Sequence, residues 1–98
     1  VALDRNGNLL IADSGNQRIR RVNAATGVIA TIAGTGETGF NGDGGAATNA
    51  RVNSPENVFA DKDNNIFIAD FGNHRIRKIA ANGGTISTVA GTGAIGFS

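Results

Sequence analysis

With 98 residues, 40% of them apolar and 17% charged, the chain is long enough for one small folded unit and too apolar for a disordered one. A net charge of +1 gives no general attraction to nucleic acid or acidic membranes, and the lack of cysteine excludes disulfides and thiolate metal sites. No run of about 18 apolar residues exists to cross a membrane as a helix.

Residues 1–4 read as a short first strand, ended by Arg5-Asn6-Gly7-Asn8, in which Asn-Gly is a strong hairpin signal. A second strand follows at 9–13, and the turn Ser14-Gly15-Asn16-Gln17 leads to a third at 18–22. The fourth spans 28–33. Residues 34–57 then form a connector of unusual length, glycine-rich at first. Within it Ala46, Ala47, Ala50 and Val52 are spaced for one helical turn, which Pro55 stops while setting up an extended approach to the next strand.

From residue 58 the pattern starts again. Residues 1–41 align without a gap on 58–98, and about half of the pairs are identical. The second copy therefore has strands at 58–61, 66–70, 75–79 and 85–90. A fixed internal period marks repeat architecture. Ile66-Phe67-Ile68-Ala69 is apolar at every position, so this strand is expected to be covered on both faces. A repeating four-stranded antiparallel meander, sandwiched on both sides, describes a propeller blade. The organisation is then blade 1 with the start of the connector (1–41), the inter-blade connector (42–57), and blade 2 with a truncated connector (58–98).

Asn8-Leu-Leu-Ile-Ala-Asp-Ser-Gly-Asn-Gln-Arg-Ile-Arg-Arg-Val22 and Asn65-Ile-Phe-Ile-Ala-Asp-Phe-Gly-Asn-His-Arg-Ile-Arg-Lys-Ile79 resemble NHL repeats. Gly39-Phe-Asn-Gly-Asp-Gly-Gly-Ala-Ala47, followed by Asn53-Ser-Pro55, is similar to the linker of long bacterial NHL arrays. The resemblance covers essentially the whole chain and implies an all-β propeller, most often six-bladed. It implies an extracellular or periplasmic location if the parent is such an array. Activity is left open, since relatives include RNA-binding modules, sensor domains, interaction platforms and, more distantly, metal-dependent lyases and lactonases.

Asp13 with Arg18, and Asp70 with Arg75, recur around the same Gly-Asn turn. A residue that every blade needs is structural, so these are expected to pin the turn. Candidate ligand contacts on the loop-bearing face are Phe71, Asn73 and His74, with Asn16, Gln17, Asn41 and Asp43. The bland expectation for Phe71 is packing against the connector. Asp61-Lys-Asp63-Asn64-Asn65 lacks the glycine and glutamate of a calcium loop and reads as a hairpin turn. His74, the single histidine, supplies neither a zinc site nor a base with its partner. The basic stripes Arg18, Arg20, Arg21 and Arg75, Arg77, Lys78 are offset by nearby aspartates, so nucleic acid is not an expected partner.

The sequence thus points to a non-enzymatic NHL propeller fragment, natural or engineered, without metal or cofactor. Its bare blade faces are expected to find copies of itself, three chains of two blades closing a six-bladed homotrimer. In that ring Ser98 of one copy is expected near Val1 of the next, with no counterpart of residues 42–57 between them. The alternative is a ligand-binding propeller that recognises a glycan, peptide or protein on its loop face.

Overall fold

The computed structural model describes residues 2–81 and 84–91. The expectations for Val1, the segment after Gly91 and Ser98 lie outside the described residues. Eight strands form two separate antiparallel sheets. The first is β1 (Ala2–Leu3), β2 (Leu9–Asp13), β3 (Arg18–Val22) and β4 (Ile29–Ala33); the second is β5 (Pro55–Ala60), β6 (Ile66–Asp70), β7 (Arg75–Ile79) and β8 (Ile86–Ala90). Each sheet runs in sequence order, as a meander joined by tight turns must.

Strand limits follow the sequence closely, with four corrections. β1 is only two residues long, β4 begins at Ile29, and β8 begins at Ile86. β5 begins at Pro55, so this proline opens the strand instead of preceding it. That position tolerates the missing N–H, and Pro55 is fully buried there. Residues Ala47–Asn49 do form the short helical turn, of the 3-10 type, within the connector.

The hairpin turns after β1 and β5 are held by their own aspartates. Asp4 Oδ1 accepts the N–H groups of Asn6 and Asn8 at 2.9 Å each, and Oδ2 accepts the Asn8 side-chain amide at 3.1 Å. Asp61 does the same with Asp63 and Asn65. These are Asx turns, with the carboxylates already engaged.

The sheets stack face to face. Strand alternation sends Ile66, Ile68 and Asp70 of β6 inward and Phe67 and Ala69 outward. Blade 1 meets that inward face with the opposite parity, through Leu10, Ile19 and Ala33, with Ala12 and Ile32 at the margin. Val58, Ile79, Ile86, Ala47 and Ala50 complete one core between the blades. At one end of the interface Arg5 donates to Asn64 Oδ1 at 3.0 Å and to the Asp61 carbonyl at 2.9 Å. At the other, Ser54 N–H donates to Gln17 Oε1 at 2.6 Å.

Candidate functional site

The chemistry-bearing residues gather where the connector crosses blade 2, and Arg77 is their centre. Its side chain is wholly buried on β7, beside a bulge at Ile76/Arg77. A buried guanidinium must satisfy five N–H groups. Nη1 donates to the Arg51 carbonyl at 2.7 Å and to Asp70 Oδ2 at 3.2 Å. Nη2 donates to the Asn41 carbonyl at 2.7 Å and to Asp43 Oδ1 at 2.9 Å, and Nε reaches the same Asp43 oxygen at 3.3 Å. The other Asp43 oxygen accepts from the Thr88 hydroxyl. Phe40 lies against both arginines of the strand, its ring centre 3.7 Å from the Arg75 guanidinium and 4.5 Å from that of Arg77.

Asp70 is opposite Arg75 in strand register, but its ion-pair partner at 3.2 Å is Arg77, and Asp13 likewise pairs with Arg20 at 3.5 Å. Arg75 turns its guanidinium over Phe40, and Arg18 donates to the Thr35 carbonyl at 3.1 Å. Asp70 still pins its turn, accepting Asn73 Nδ2 at 2.8 Å, and it also takes the Asn53 N–H at 2.7 Å.

The predicted loop-face residues are only partly brought together. Asn73 also donates to the Gly39 carbonyl at 2.8 Å, which ties the turn to the connector. Asn16 bonds to Asp13, Gln17 clamps Ser54, Asn41 Oδ1 accepts Arg51 N–H at 2.7 Å, and Asp43 holds Arg77. Phe71 is 54% exposed, its ring tilted beside His74 with centres 6.4 Å apart. His74 and Gln17 both take the left-handed conformation that ends their short 3-10 turns.

The connector also lies along the edge of blade 2. Gly44 N–H donates to the Ile86 carbonyl at 2.7 Å, Ile86 N–H to the Gly45 carbonyl at 3.0 Å, and Ala47 N–H to the Gly84 carbonyl at 2.9 Å. Backbone pairing of this kind covers a strand edge. Gly42 lets the connector fold back on itself: its φ is +90°, and a Cβ there would sit 2.7 Å from Ala50 Cα. Sequence reasoning missed Arg77, Phe40 and Asn53 as participants; the signal was the recurrence of Arg20/Arg77 and Phe40/Phe97 in the two copies.

Elsewhere, a cleft of about 270 Å³ opens between the blades, lined in part by Arg21, Thr31, Thr48, Asn64 and Ile79. None of the predicted loop-face residues lines it. Among the described residues, no three His, Asp or Glu side chains are grouped to hold a metal ion.

Two four-stranded meanders stacked through complementary faces are blades of a β-propeller. A family model described as the teneurin NHL domain matches residues 1–80, and the chain belongs to the NHL-repeat family. It is 34% identical over 95 residues to teneurin-4 of Homo sapiens and 38% identical over 94 residues to NHL repeat-containing protein 2 of Gallus gallus. Those alignments cover 84% and 95% of this chain but only 3% and 12% of the relatives. A structural-genomics protein of unknown function from Bacteroides thetaiotaomicron matches with a TM-score of 0.75 and 25% identity, over 88% of this chain and 21% of that one.

Proposed function

We propose that the chain is a non-enzymatic scaffold module that works by seating blade on blade, and that by itself it assembles into a closed ring of three copies. One observation carries this reading. The open face of blade 2 holds Phe59, Phe67, Ile76 and Val89; the last three are the repeat equivalents of Leu10, Ile19 and Ile32, which face the core from blade 1, and Phe59 that of Ala2, opposite Leu10 in register. The open face of blade 1 holds Leu9, Ile11, Val22 and Ile29, equivalents of the buried Ile66, Ile68, Ile79 and Ile86. The two free faces are thus the two halves of an interface the molecule already makes.

A face of four strands by about five residues spans on the order of 300 Å². If half of each of two such faces is apolar, pairing them buries roughly 300 Å² of apolar surface, about 8 kcal/mol before the cost of association. A head-to-tail contact that closes makes a ring, and three two-blade chains supply the six blades favoured in the family. The mass in solution tests this. Three chains of 9.9 kDa give about 30 kDa. A stable monomer at micromolar concentration would overturn self-assembly.

The exposed Phe71 beside His74 supports a second reading, a loop-face site for a glycan or peptide. Binding on a glycan or peptide array that Phe71→Ala removes would favour it; no binding to either array would dismiss it.

A further inference from the structure

Blade 1 carries the same carboxylate receptor that blade 2 uses to hold the connector, but in an open form. The receptor in blade 2 is Asp70, Arg77 and Thr88; 57 residues earlier stand Asp13, Arg20 and Thr31, identical in type. Register is the same as well, with Arg20 opposite Thr31 as Arg77 is opposite Thr88, each next to a bulge. Asp13 and Arg20 form the same ion pair, at 3.5 Å. Yet the Arg20 side chain is 35% exposed where that of Arg77 is wholly buried, and its Nε is buried without a hydrogen-bond partner among the described residues. The strand edge matches too. Val28 and Ile29, which repeat Thr85 and Ile86, are 62% and 57% exposed.

We infer that the Asp13–Arg20–Thr31 face of blade 1 is a binding site for a peptide segment of the type Gly-Phe-Asn-Gly-Asp-Gly-Gly, the connector of a further NHL repeat. Its aspartate takes the fork of Arg20 and the Thr31 hydroxyl, its phenylalanine lies over Arg18 and Arg20, and the following glycines add backbone hydrogen bonds to the β4 edge at Ile29. Each contact has its counterpart in blade 2, at Asp43, Phe40 and Gly44–Gly45. Charge favours the match, because a bidentate carboxylate is what an arginine with a free Nε is shaped to hold. Adding an extended segment to a sheet edge is a general mode of peptide capture.

The inference rests on the propeller reading but not on ring closure. The test uses the full chain carrying Phe59→Glu, which places a charge on the opposite, open face of blade 2 and blocks head-to-tail stacking without touching Arg20. A synthetic peptide of residues 34–57 is titrated into it by calorimetry, alongside the same peptide with asparagine in place of its one aspartate. Saturable one-to-one binding is expected, with the asparagine peptide at least about tenfold weaker, the effect of losing a charge-assisted pair. Arg20→Gln in the protein should weaken the parent peptide by a similar factor, and in the chain that keeps Arg20 its Nε–H resonance should shift as the parent peptide is added. Absence of saturable binding, or equal binding of both peptides, overturns the inference, as does binding that Arg20→Gln leaves unchanged. The mass of the unsubstituted chain decides the ring separately, so either idea can fail alone.

Discussion

The two blades have nearly the same strands and opposite surroundings. Ile29 and Ile86 are one position of the repeat, yet the first is 57% exposed and the second is fully buried. Arg20 and Arg77 differ in the same way, and so do Asp13 and Asp70. The cause is neighbourhood: blade 2 has blade 1 and the connector packed against this face. In a repeat protein a side chain's energetic role is therefore set by the interface beside it, not by its own blade. The comparison also explains the buried ion pair. Arg77 is tolerable in the core because all five N–H groups are met, while a guanidinium with fewer partners must stay partly wet.

The widest gap between the blades should appear with a charge in place of an apolar residue. Ile68→Asp should unfold the chain, since an unpaired buried carboxylate costs several kcal/mol against a total stability of about 5–15 kcal/mol. Ile11→Asp, at the equivalent position of blade 1, should leave circular dichroism native while abolishing any higher mass in light scattering. Equal unfolding of both variants would break the comparison.

Arginine removal should come next. Arg77→Ala leaves Asp70 buried and unpaired, and should lower stability in urea by about 3–5 kcal/mol. Arg20→Ala, losing a partly exposed pair, should cost about 0–1 kcal/mol. A smaller contrast is expected at the turn glycines. A Cβ on Gly72 would lie 2.4 Å from Asn53 Cγ, whereas one on Gly15 meets nothing within 4 Å. Gly72→Ala should therefore cost about 1 kcal/mol or more and Gly15→Ala under about 0.5 kcal/mol, measured by the same titration.

The smallest difference should be in acid. For Asp4, burial works to raise the pKa, but hydrogen bonds from the side chain and N–H of Asn8 and the N–H of Asn6, helped by Arg21, outweigh it and hold the pKa below 3.8. For Asp61 the Asn65 side chain is the largest influence, and the pKa again lies below 3.8. The unfolded chain thus takes up these protons before the folded one does. Both turns contribute their full stability above pH 3.8 and lose it as the pH falls through the depressed folded values. Urea midpoints between pH 5 and 2 should fall less in Asp4→Asn and in Asp61→Asn than in the parent. A parent midpoint that is flat across that range would contradict the turn geometry.

Sequence alone determined the repeat, the strands and the two kinds of turn, because each is a local matter. Period-two alternation, Asx-turn aspartates and glycines at left-handed positions act over a few residues, and the offset of 57 copies them. It could not say which face of Ile66–Asp70 is covered by what, since that strand is apolar throughout. Nor could it tell that Asp70 would pair with Arg77, or that Asn41, Gln17 and Asp43 would be spent on holding the connector and the blades together. These choices depend on groups that lie far apart along the chain. Asp43 and Arg77 are 34 residues apart, and only stacking of the second blade on the first brings the connector to that arginine. Tertiary structure decided which arginine is buried because five donors can be satisfied only where two segments and a turn converge.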